Sequence, residues 1–263
     1  MVFWYQLEKD RKIDSCFFTT KFAGMINQLS FDAMLENLSR DFHPLVPFNR
    51  KTDKVALLDL SKTNPLFTET IYSDMDLFEK FIEDNRKKSG AKYLLGGYNE
   101  ERQMYRRSVL FDRNISDAQR MVDEPRSIHL GIDIWGPEGT TVFAPLGGVV
   151  YGFAFNDQFG DYGATIILQH QSDATSFYTL YGHLSLQDIG SLKEGQFISR
   201  GQPFAHFGPK EENGHWPPHL HFQVIYNIGL NVSDYPGVCK PSESGFYLSN
   251  SPNPHPFIHH LFT

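Results

Sequence analysis

Five side chains on three short stretches have the types and spacing to hold a cation and move a proton. IHLGIDIWGPEG places His129 and Asp133 four apart, YGHLS supplies His183, and GHWPPHLHFQV sets His219 and His221 one residue apart in an apolar run. A spacing of four shares one face of a helix. Here Ile128, Ile132 and Ile134 are β-branched, Gly131 lies between the pair and Pro137 follows, which favours a strand. Alternate side chains of a strand share a face, so His129, Gly131 and Asp133 point one way, with the glycine leaving room for something to approach. The same period puts His219 and His221 on one face of HLHFQV, ~6.5 to 7 Å apart at the backbone, with Leu220 and Phe222 directed at the core. Both imidazoles can converge on one ion, or one can bind it while its neighbour faces the bound water. A catalytic Zn²⁺ takes three ligands from His, Asp, Glu or Cys and keeps a fourth position for water, whose pKa falls to about 7. Two spare histidines would then orient or deprotonate that water and stabilise a developing oxyanion.

The elements that must position these groups are mostly strands. HLGIDIW, TVFAPLGGVVYGFAF, ATIILQHQ, SFYTLYGHLS and HLHFQVIY are short β-type runs separated by Gly, Pro, Asn and Asp, which predicts a mainly β sandwich or roll. Earlier segments mix types. FDAMLENLSR carries a helical stripe, KVALLDL reads as a buried strand, and Ser73 to Lys88 repeats the helical stripe at Leu77, Phe78, Phe81 and Ile82. The resulting layout is an N-terminal α/β region over 1–90, a connecting segment with edge strands over 91–128, a core over 129–228 and a wrapping tail over 229–263.

HLGID, YGHLS and HLHFQ resemble, in order and approximate separation, the signature of the lysostaphin-type (LytM-like) zinc endopeptidases, known for cutting peptide cross-links in bacterial cell walls. The likeness covers residues 129 to 224. It implies a two-sheet antiparallel β fold with an open groove, one zinc ion held by His129, Asp133 and His221, and His183 and His219 as the catalytic pair. It also implies a bacterial origin and a peptide or peptidoglycan-like substrate. NGHWPP departs from the Gly-rich or Ser/Thr-Gly turn usual before H-L-H-F, and its Trp216 and prolines build a stiffer, more apolar wall. That wording is similar to a branch without export signals. An intracellular zinc hydrolase of a small peptide or amide is therefore an alternative, as is a non-enzymatic metal-bound binding or regulatory module.

Composition bounds the partners. Over 263 residues the formal net charge is -7 with no basic stripe, which argues against nucleic acid. The N-terminus shows no basic region followed by a long apolar run, and no stretch is long enough to cross a bilayer, so a cytoplasmic address is expected. Cys16 and Cys239 are expected to be free thiols. Arg102 and Arg106 stand close enough before His129 to border the groove and clamp a substrate carboxylate, and His215 and Trp216 are placed for substrate contact. His43, His170, His206, His255, His259 and His260 read as packed or solvated residues.

Overall fold

The computed structural model describes residues 31–108, 110, 124–172 and 175–262. Two compact units result, Met1–Arg40 and Asp41–Thr263. In the first, residues 31–38 form the helix that FDAMLENLSR predicts. The described residues of the second form β1 (Val55–Leu58), β2 (Tyr93–Gly96), β3 (Ile128–His129), β4 (Ile132–Trp135), β5 (Thr141–Phe143) and β6 (Gly148–Asn156). There follow β7 (Gly163–Ser172), β8 (Thr175–Leu184), β9 (Phe197–Ile198), β10 (Pro203–His206), β11 (His219–Ile225) and β12 (Val238–Cys239).

Eight of these strands make one sheet in the order β1-β2-β4-β11-β8-β7-β6-β9, and β10-β5 and β12-β3 are separate two-stranded ribbons. The fold is mainly β, as expected, but one large mixed sheet with two ribbons takes the place of two antiparallel sheets. Its parallel pair is β1 with β2, joined through the helix Met75–Ser89 because parallel neighbours need a long crossover. Asp74 caps that helix, its carboxylate accepting from Asp76 N and Leu77 N at 3.0 and 3.1 Å, and Gly90 at φ 64° closes it. Phe78 and Ile82 of the helix are buried in one cluster with Leu94, Trp135 and Trp216.

β2 pairs antiparallel with β4, setting Leu94 opposite Trp135 and Gly96 opposite Asp133. The expected N-terminal region is therefore an edge of the sheet that carries the site. For the same reason the boundaries expected at 90, 128 and 228 do not separate compact bodies within Asp41–Thr263. The tail enters the core: β12 pairs with β3, and Phe257 stacks on Phe42 at 4.0 Å and meets Phe222 at 5.1 Å. Cys239 is a buried free thiol whose pKa burial pushes up to about 12, while Cys16 lies outside the described residues. Among the described residues no helix is long and apolar enough to cross a membrane.

Candidate active site

β11 lies inside the sheet with all seven residues buried, a position that favours a continuous apolar run. His219, His221 and Gln223 interrupt it, so each must find a buried partner. The pairing of β11 with β4 sets His221 opposite Asp133, and their Nδ1 and Oδ1 atoms lie 3.2 Å apart. His129 arrives from a different direction. The single strand expected over HLGIDIW is broken, β3 ending at His129 and β4 starting at Ile132, and His129 Nε2 comes within 3.3 Å of Asp133 Oδ1 and 3.0 Å of His221 Nδ1. Gly131 at the break makes this possible: a Cβ there would stand 2.7 Å from His221 Cε1 and Nε2 and 2.7 Å from Phe222 O. The space that the sequence leaves at Gly131 is filled by the His221 ring.

Hydrogen bonds on the far side of each ring decide where its proton sits. His129 Nδ1–H donates to Gly97 O at 2.8 Å, which leaves Nε2 as a lone pair. The Gln223 amide nitrogen donates to Pro236 O at 3.1 Å and Ser251 Oγ at 2.9 Å, so its Oε1 is the atom that faces His221 Nε2 at 3.0 Å. His221 therefore carries its hydrogen on Nε2 and presents a bare Nδ1. On Asp133, Oδ2 accepts from Arg102 Nη1 at 2.6 Å and Oδ1 turns toward the two imidazoles. Three acceptors thus face one another with no hydrogen between them.

That arrangement fits a divalent cation. Zinc bonds of about 2.0–2.1 Å in tetrahedral geometry put neighbouring donors about 3.3 Å apart, and the three separations here are 3.0, 3.2 and 3.3 Å. His129, Asp133 and His221 also form the buried cluster able to hold a metal among the described residues. Burial, and after it the charge of Arg102, pushes His129 down to about 4. Burial is also the largest influence on Asp133 and opposes its charge, yet the attractions of His129 and Arg102 hold the carboxyl well below its usual range. Because His129 is neutral above about 4, Arg102 is the cation that does this near pH 7.

His183 and His219 stand beside these donors with ring centroids 4.1 Å apart, and His219 stacks on Trp135 at 3.8 Å. Each Nδ1–H donates to a backbone carbonyl at 2.8 Å, His183 to Asn213 and His219 to Pro217, so each keeps a bare Nε2. Burial holds His219 near 4 and, with the charges of His219 and His221, keeps His183 well below its usual value. His183 sits at φ 62°, a left-handed conformation that costs a non-glycine residue energy and clusters at functional sites. All five residues line one cavity of about 140 Å³, together with Tyr105, Tyr162, Trp216, Arg126, Asp161, Asp234 and Tyr235.

The expected substrate contacts divide. Trp216 lines the cavity, its Nε1 donating to Asp161 O at 3.2 Å. Arg102 does not border a groove: it is 1% exposed, with its guanidinium held by Glu100 at 2.5 Å and Asp133 at 2.6 Å, so it cannot reach a substrate carboxylate. Arg106 and His215 are exposed and lie outside the cavity lining. Sequence reasoning missed Gln223 and Arg107. Gln223 sits two residues after His221, so the strand period could have found it. Arg107, whose guanidinium lies 4.5 Å from the Trp216 ring and 4.6 Å from that of Phe159, carries no such signal.

Residues 127–232 match Peptidase family M23. This stretch is similar to an M23 domain. Over 106 residues the chain is 32% identical to the DD-carboxypeptidase/endopeptidase Mpg of Neisseria meningitidis serogroup B, covering 38% of this chain and 20% of that protein. It therefore spans about a fifth of the length of the curated relatives it matches. Similar solved structures include a zinc containing peptidase from Vibrio cholerae (31% identity, 37% of this chain and 27% of that chain, TM-score 0.30). The catalytic domain of the antimicrobial peptidase lysostaphin from Staphylococcus simulans is another (24% identity, 46% and 80%, TM-score 0.32). All five candidate residues lie inside the matched stretch, whereas Glu100 and Arg102 precede it.

Proposed function

We propose that this protein is a zinc-dependent peptidase that hydrolyses a peptide amide, with peptidoglycan cross-link peptides as the first substrate class to test. The observation that carries this reading is the convergence of three bare donor atoms at separations of 3.0–3.3 Å beside two neutral histidines that keep a lone pair each. His129 Nε2, Asp133 Oδ1 and His221 Nδ1 would hold the ion. Once bound, zinc supplies Lewis-acid polarisation of the amide carbonyl and lowers the pKa of water. His183 and His219 do the rest. A bare Nε2 accepts the proton that the attacking water gives up and returns it to the leaving amine nitrogen, and the protonated imidazole stabilises the tetrahedral oxyanion. Trp216, Tyr105 and Tyr162 supply aromatic walls to the cavity.

The small, aromatic-walled cavity of about 140 Å³ favours a second reading, a short soluble peptide or amide in place of a polymer. Cleavage of a panel of peptidoglycan fragments and soluble peptides, followed by mass spectrometry before and after chelation and zinc re-addition, tests both. Metal-dependent hydrolysis of either class supports peptidase chemistry and selects the substrate. Equal hydrolysis with and without metal, or none on any member of the panel, overturns it.

A further inference from the structure

The stretch Gly97–Arg102 precedes the M23 match yet touches two of the three donor residues. Gly97 O accepts from His129 Nδ1, and Glu100 O accepts from His129 N at 3.0 Å. Arg102 holds Asp133 Oδ2 through Nη1 and Glu100 Oε2 through Nε, and Nη1 also donates to the Tyr105 hydroxyl at 3.2 Å. Glu100 is braced in turn, its Oε1 accepting from Leu60 N at 3.2 Å in the segment after β1. The guanidinium has no solvent exposure and passes over Gly96, where a Cβ would stand 2.8 Å from Arg102 Nη2.

We propose that Arg102 is a positioning residue that restricts Asp133 to one-oxygen ligation of the metal and so keeps a coordination position open. The inference rests on the zinc reading above. A carboxylate ligates through one oxygen or chelates through both. Two imidazoles plus a chelating carboxylate would fill four positions, so that water or substrate could enter only as a fifth ligand, whereas a catalytic zinc site keeps the fourth position for it. Arg102 engages Oδ2 at 2.6 Å, so chelation would require breaking a buried charge-assisted hydrogen bond. The Nε contact to Glu100 stops the fork from turning away with Asp133. Residues 60–102 thus serve the metal site from outside the M23 match, because the segment after β1 carries the anchor for Glu100 and β2 carries the glycine that the guanidinium passes.

Two readouts separate this role from that of an ordinary buried ion pair: zinc affinity by chelator competition, and the visible absorption of the cobalt(II)-substituted protein, whose intensity falls as coordination rises from four to five. For R102M we expect zinc affinity to fall by about 10- to 100-fold, as for other groups that orient metal ligands, and the cobalt bands to weaken. Gly96→Ala, which crowds Arg102 Nη2 without removing any charge, should move both readouts the same way by less, and it decides the matter if R102M does not fold. Zinc affinity within two-fold of the natural chain together with unchanged cobalt bands, in the folded R102M or otherwise in G96A, overturns the proposal and leaves the peptidase reading intact. A natural chain that takes up no zinc overturns both.

Discussion

Gly131→Ala is the smallest change that should weaken the proposed metal site without replacing a donor residue. The added methyl would stand 2.7 Å from the His221 ring and 2.7 Å from Phe222 O, and the second neighbour is backbone of a strand locked between β4 and β8. Ordinary carbon contacts are about 3.4 Å or more, so β4 and the imidazole must part by ~0.5–0.7 Å, well beyond the ~0.2 Å tolerance of a metal bond. Two consequences differ in size. Overpacking costs about 1–3 kcal/mol of stability, and a misplaced ligand nitrogen should lower zinc affinity by about 100-fold, taking the effect of a disturbed ligand shell as a guide. At zinc fixed at about 100 times the natural chain's Kd, binding stabilises that chain by about 2.7 kcal/mol and the variant by about 0.4 kcal/mol. For a body of this size that is a zinc-induced rise in Tm of about 5–10 °C against about 1 °C. Thermal unfolding with and without zinc measures both. Equal rises in the two proteins would refute the claim that the glycine exists to admit His221.

Three further expectations follow from other residues. His183 at φ 62° should make H183G more stable than H183A by about 1 kcal/mol, the reverse of the usual order, since both lose the ring and differ in the cost of the left-handed backbone; denaturant unfolding in which alanine is the more stable counts against the strain. His219→Gln should reduce hydrolysis by about 10²- to 10⁴-fold while zinc affinity stays within a few-fold; parallel loss of metal would make His219 a ligand. His170 is buried on Gly147 O and the Thr179 hydroxyl, and burial holds it near 4. Between its ordinary 6.5 and about 4 the unfolded chain binds the extra proton, so this residue's contribution is present above pH 6.5 and is lost on acidification, by roughly 3 kcal/mol in all. H170Q should show a flatter fall in Tm over that window, and an unchanged slope would place the sensitivity elsewhere.

The donor atoms were legible because both motifs lie on strands, where a period of two assigns faces without knowledge of the fold. Pairing of His221 with Asp133 needed the register, which only the folded sheet supplies. Arg102 misled for a physical reason: in sequence it stands among charged and polar residues that resemble an exposed edge, and its partner Asp133 is 31 residues away. The addition of β1 and β2 to the sheet was hidden in the same way, since long-range strand pairing leaves no local signature. Trp216 was recognisable as a wall because a Trp-Pro-Pro corner next to a strand has little freedom to point elsewhere.

Gln223 carries a consequence for the far end of the chain. Its amide is oriented by the Pro236 carbonyl and the Ser251 hydroxyl, both contributed by the tail, and that orientation favours the tautomer in which His221 Nδ1 is free to bind. Removing those two contacts would let the amide turn over and offer N–H where oxygen now stands, moving the imidazole hydrogen onto the nitrogen meant for the ion. Loss of the Ser251 hydroxyl, far along the chain, would then weaken the centre by tautomer exchange, with no donor residue replaced.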